Sequence, residues 1–262
     1  MKKILAAVAM TAALGAAQAD AFSLNGYQGP VEFKLAGVTE SLDNSYMPSE
    51  TWGVFSLSAV TDGWNNIWSA STGDYVYGII YGLQEATAYL NNASTFGYTI
   101  EQTGGHFALY ATSTAINFAT LSNTGRTALD QFTGITNGTL LFAGDFASGI
   151  LPSSQFNPTI VQDVTAAQSP ANGKGSGYGD IDLNKGGTYA SAFDSDSQEN
   201  DKDLFFQFTV GPYRGAGANG WDQQINDPVS GAAVPEPSTM MLLGAGVLGL
   251  GLYGRRRARK EA

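Results

Sequence analysis

The chain has 262 residues, with 13 basic and 23 acidic side chains, one histidine and no cysteine. The missing cysteine excludes a disulfide framework, a thiolate metal site and a cysteine nucleophile, and one histidine excludes a multi-histidine metal centre. A formal charge of −10 argues against a nucleic-acid partner, because phosphate neutralisation needs Lys and Arg.

At the N-terminus, Lys2 and Lys3 precede an uncharged apolar stretch from Ile4 to Ala13. Ala17-Gln18-Ala19 is a small-x-small cleavage site, and Ala19-Asp20-Ala21 repeats it. This order predicts a signal peptide over 1–21, cut after Ala19 or Ala21, and export by the Sec machinery. Between Phe22 and Pro237 there remain six bases and 21 acids, a net charge of 6 − 21 = −15. Such a surface favours cations or neutral glycans over nucleic acid and anionic lipid.

The body, 22–210, alternates apolar and polar residues at period two. Val31–Leu35, Phe55–Ala59, Tyr75–Tyr81 and Leu204–Val210 read as strands. Leu140–Phe142 and Thr159–Val164 read as shorter ones. Tyr98–Gln102 and His106–Tyr110 flank Thr103-Gly104-Gly105 and predict a hairpin. Gln84–Leu90 and Thr127–Phe132 are the two short helices expected. Seven or more short strands predict a mainly β fold, an antiparallel sandwich or jelly roll of one domain. Gly173–Gly187 reads as a glycine-rich loop. The Gly-, Ala- and Asn-rich stretch 211–233 reads as a stalk.

Two acidic stretches space their carboxylates by two, as a calcium site requires. They supply Asp180, Asp182 and Asn184, and Asp194 and Asp196. Neither has an EF-hand glycine or twelfth-position Glu in place, so a solvated acidic loop is the competing reading. Trp64 and Trp68 lie in a polar stretch, Thr61–Asp74, and are candidate glycan-stacking rings. His106 has no Gly-x-Ser-x-Gly elbow to serve, and no carboxylate pair is singled out. No catalytic residue is assigned, and a polysaccharide hydrolase is the weaker alternative.

The tail, 234–262, has three parts. Val234-Pro235-Glu236-Pro237-Ser238 comes first, then an apolar glycine-rich segment over 239–254, then a basic end over 255–260 with Arg255, Arg256 and Arg257. The uncharged run Met240–Tyr253 would extend about 21 Å as a helix, short of a roughly 30 Å bilayer core. It is a marginal span, and the basic cluster would hold its end in the cytoplasm. This arrangement resembles the PEP-CTERM sorting tail of Gram-negative bacteria, a tail type also labelled as an ice-binding protein C-terminal domain. The resemblance implies processing near Pro235-Glu236-Pro237 by an exosortase-type membrane enzyme, in a cell that makes exopolysaccharide. The layout is similar to flocculation-associated PEP-CTERM proteins, implying a non-catalytic role at the cell surface or in a biofilm matrix.

Overall fold

The computed structural model describes residues 22–42, 50–92, 97–151, 156–165, 172–213 and 219–235. The expected signal peptide, with Ala19 and Ala21, and the tail after Pro235 lie outside the described residues. The strands are β1 (Gly29–Leu42), β2 (Glu50–Thr61), β3 (Asn66–Ser69), β4 (Tyr75–Asn92), β5 (Gly97–Thr112), β6 (Arg126–Ala128), β7 (Gln131–Phe132), β8 (Thr139–Ala147), β9 (Ile160–Thr165), β10 (Asn172–Ile181), β11 (Leu204–Pro212) and β12 (Gln223–Ala233). One short helix, α1, covers Ala190–Phe193.

The strands pair in chain order and close on themselves. β1 pairs β2, β2 pairs β4, and β4 pairs β5; β10 pairs β11, β11 pairs β12, and β12 returns to β1. β8 and β9 share one position between β5 and β10. β8 pairs 106–111 and 178–181, and β9 pairs 97–102 and 172–177. Every contact is antiparallel, so the sheet is a closed up-and-down barrel with eight strand positions. β3 is added alongside β2. The antiparallel β fold is as expected, but the two-sheet sandwich or jelly roll is replaced by one ring. Alternation marks which face each strand buries. It does not say whether the last strand returns to the first.

The interior is apolar and crowded with rings. Phe33, Phe55, Phe107, Phe142 and Phe146 are buried there with Leu57, Leu109 and Leu204. Rings fit because the strands paired beside them carry glycine at the matching positions. A Cβ on Gly175 would come within 2.3 Å of Phe208, one on Gly179 within 2.7 Å of Phe206, and one on Gly78 within 2.0 Å of Phe55. This overturns the glycine-rich loop: Gly173, Gly175, Gly177 and Gly179 sit on the inward face of β10. The predicted hairpin is also one strand, β5. Gly104 and Gly105, at φ of 68° and 94°, bend it in mid-course without reversing it.

The predicted helix at Gln84–Leu90 belongs to β4, and Thr127–Phe132 is mostly the small β6–β7 hairpin. In both, pairing with a neighbouring strand overrides weak local helix preference. The stretch read as a stalk ends in β12, which pairs on both sides, so the barrel extends to Ala233. Glycine and alanine there serve close packing: a Cβ on Gly231 would lie 2.8 Å from Leu204.

One end of the barrel is plugged. Phe22 and Leu24 tuck under it with Trp68, Tyr189 and Phe193. The Phe22 ring lies 5.2 Å from Trp68 and 5.0 Å from Tyr189, and the Tyr189 hydroxyl donates to the Phe22 carbonyl at 3.0 Å. A second core lies outside the wall. The β5–β8 connection, 113–138, lays Phe132 and Ile135 over Trp52, Val54, Tyr77, Ile79 and Trp221. Arg126 fastens this cover, bonded to Glu50 at 3.0 Å and standing 4.6 Å above the Trp52 ring. Elsewhere the wall turns Lys34, Ser58, Lys174, Thr209 and Asn226 outward. That polarity is the reverse of a membrane-spanning barrel, which faces lipid with an apolar band.

Gly175→Ala should destabilise the fold by about 1–3 kcal/mol through overpacking against Phe208. Ser176→Ala, one residue along, should stay within about 0.5 kcal/mol. Urea unfolding midpoints of the two variants provide the check.

Candidate functional site

The connection between β10 and β11 gathers much of the acidic chemistry. Asp182 caps a tight turn over Leu183–Lys185, its carboxylate accepting the Asn184 backbone N–H at 2.8 Å and side-chain N–H at 2.9 Å. After α1 the chain makes an acidic loop in which Asp196, Asn200 and Asp201 all take positive φ. These are residue types that tolerate the left-handed region. Asp203, fully buried at the start of β11, organises the loop. Its carboxylate accepts from Ile181 N at 2.7 Å, Ser195 N at 2.5 Å and Asp196 N at 2.9 Å.

Ligand oxygens of Asp194, Asp196 and Asp203 lie within 4.8 Å of one another. Burial raises the Asp203 carboxyl above its ordinary value, outweighing the three N–H groups, and Asp180 adds to the rise. Asp194 is raised by burial and then by the charges of Asp203, Asp196 and Asp180. Of the predicted metal set, Asp194 and Asp196 come together. Asp180 stands beside them, bonded to Lys202 at 2.7 Å. Asp182 and Asn184 are spent on their own turn. Asp203 was not among the residues singled out, although it ends the same acidic stretch and directly precedes an apolar strand. Calcium takes 6–8 oxygens. Three carboxylates with solvent and backbone oxygens are a partial donor set for it.

A second group lies on the outer wall. His106 of β5 pairs through Nδ1 with Asp145 of β8, and Lys185 meets the same carboxylate. The Tyr81 ring lies 5.0 Å from the imidazole. Burial would raise the Asp145 carboxyl, but hydrogen bonds from Lys185 and His106 outweigh it and hold the group below its usual value. No hydroxyl is bonded to His106 among the described residues. The geometry supplies a histidine–aspartate pair flanked by Lys185 and the Tyr81 ring.

The two candidate glycan rings part company. Trp64 is 95 % exposed. It sits on a tight turn where the Asp62 carboxylate accepts from Trp64 N at 2.9 Å and Asn65 N at 2.7 Å. Trp68 is 9 % exposed and belongs to the plug against Phe22, which corrects its reading as a loop ring. Polar neighbours in sequence masked its inward-facing position on β3.

At the plugged end, β12 stops at Ala233 and Val234 N donates to the Ala192 carbonyl at 2.8 Å. Pro235 follows. Glu236, Pro237, Ser238, Arg255, Arg256 and Arg257 lie outside the described residues. The family described as the PEP-CTERM protein-sorting motif matches residues 233–257. The chain carries a PEP-CTERM sorting domain. The PEP-CTERM match begins on the last residue of the barrel's last strand. No curated protein and no solved structure matches the chain. Among the described residues no helix is long and apolar enough to cross a membrane, and the apolar run 240–253 lies outside them.

Asp203→Ala would strand three N–H groups and should cost about 2–4 kcal/mol. Asp194→Asn should act oppositely. The raised carboxyls contribute stability that is full below the ordinary Asp value and is lost as pH rises through the raised one. Removing one charge should therefore raise the melting temperature at pH 7, with the gain vanishing below about pH 4. Thermal melts across pH decide this.

Proposed function

We propose that this is an exported envelope protein, processed by an exosortase-type enzyme, whose barrel acts without catalysis at the cell surface or in an exopolysaccharide matrix. The sorting motif at 233–257 carries the reading. The acidic body and the exposed Trp64 agree with a partner that is a neutral or cation-bridged glycan. Adhesion, flocculation and biofilm architecture are the roles proposed for such a module.

Intact mass of the protein from its own host, with its cellular fraction, tests the proposal. The expected result is an extracellular species beginning near Asp20 or Phe22 and ending between Pro235 and Ser238. Changing Pro235-Glu236-Pro237 to alanines should leave the tail attached and the protein in the membrane fraction. A wild-type mass that keeps Met240–Ala262 in the membrane overturns the reading.

A second reading rests on Asp194, Asp196 and Asp203, which would let calcium bridge the loop to a glycan. Millimolar calcium should then raise the melting temperature by several degrees, and Asp196→Asn should remove the rise. An unchanged melt excludes it.

A further inference from the structure

Among the described residues the lumen is not filled along its whole length. Away from the plug, a cavity of about 70 Å³ remains among Phe55, Leu83, Phe146, Phe208 and Ile225. Gln162 of β9 also lines it. This side chain is 7 % exposed, and its Nε2 meets no acceptor among the described residues. The neighbouring Gln102 is already spent, its Nε2 donating to Thr51 Oγ1 at 2.8 Å. A buried donor without a partner is costly, and native structures seldom keep one without reason.

The wall beside the cavity is also less regularly paired. β11 and β12 pair at Phe206 and Val229, then again only at Thr209 and Asn226. Pro228 sits in the gap and has no N–H to give the ladder. Gln207, within this gap, and Asn226, at its edge, face outward and are exposed, yet border the same cavity from the wall.

We propose that this cavity is a binding site for a small neutral ligand, mainly hydrocarbon, bearing one oxygen that accepts from Gln162 Nε2. No Lys, Arg, His, Asp or Glu lines the cavity among the described residues. A charged head group would lose its hydration with nothing in exchange. The volume is several times the roughly 10–15 Å³ that one water needs, and about half the roughly 150 Å³ of an apolar cavity that takes benzene. It therefore suits a short aliphatic ketone, aldehyde or ester group, or the tip of a longer chain, and excludes a sugar ring.

The test is a titration of the full chain in detergent micelles, labelled with ¹⁵N at glutamine side chains, with acetone and with propane. The expected result is a saturable shift of one side-chain NH₂ pair, the pair missing from Gln162→Leu. Acetone should bind about 3–10-fold more tightly than propane, the worth of one net hydrogen bond, and the preference should vanish in Gln162→Leu. Val210→Phe fills the cavity from β11 and should abolish the shift while leaving the circular dichroism spectrum unchanged. It decides the matter if Gln162→Leu fails to fold. An unmoved Gln162 pair that shows exchange with water alone, or equal binding of the two compounds, overturns the proposal.

Discussion

Aromatic rings inside a narrow barrel set the terms for the rest of the structure. Eight strands enclose little more space than their own side chains need. Phe55, Phe107, Phe206 and Phe208 fit only because Gly78, Gly175 and Gly179 present bare backbone to them. The glycine content of this chain is thus in large part a packing device. Closure follows the same economy, since a ring of paired strands has no exposed edge to protect.

The sheet is used on both faces. Along β2, Val54 points to the outer core and Phe55 to the lumen, and along β5 Ala108 and Leu109 divide in the same way. Where the 113–138 cover lies, the wall is a middle layer between two apolar volumes. Elsewhere it meets solvent and reverts to polar–apolar alternation. The cover is held by specific bonds as well as apolar area: Trp221 Nε1 donates to the Leu121 carbonyl at 2.9 Å, and the Tyr213 hydroxyl to the Phe118 carbonyl at 2.7 Å. The polar cluster around Asp203 has a comparable role between β10 and β11, where one buried carboxylate substitutes for regular pairing.

Much of this was legible from residue order. Val31–Leu35 and Leu204–Val210 are strands because their alternation matches one buried face, and Tyr75–Tyr81 because its apolar residues serve both the lumen and the outer core. The sorting tail was legible because its three parts stand in fixed order. β10 was not, because a run of alternate glycines has no apolar side chain to reveal its inward face; the neighbouring strand β11 supplies the rings that cover it. The bend at Gly104-Gly105 has the composition of a turn, and only the continued pairing of β5 with β4 distinguishes bend from reversal. The burial of Trp68 and Asp203 is not legible for a related reason. Each is buried by segments distant in the chain, Phe22 for one and Ile181 for the other, and spacing within a motif carries no trace of such partners.

The seam between β1 and β12 carries a consequence for the order of events in the cell. The first strand of the ring is completed by the last, across register pairs from Gly29–Ala233 to Thr39–Gln223. A chain threaded through a membrane from its N-terminus would hold an unclosed β1 until residue 233 had emerged. The barrel would therefore stay slack enough for passage through most of its transit, and would lock only as the sorting segment arrived. Maturation would begin on a body that had just become compact.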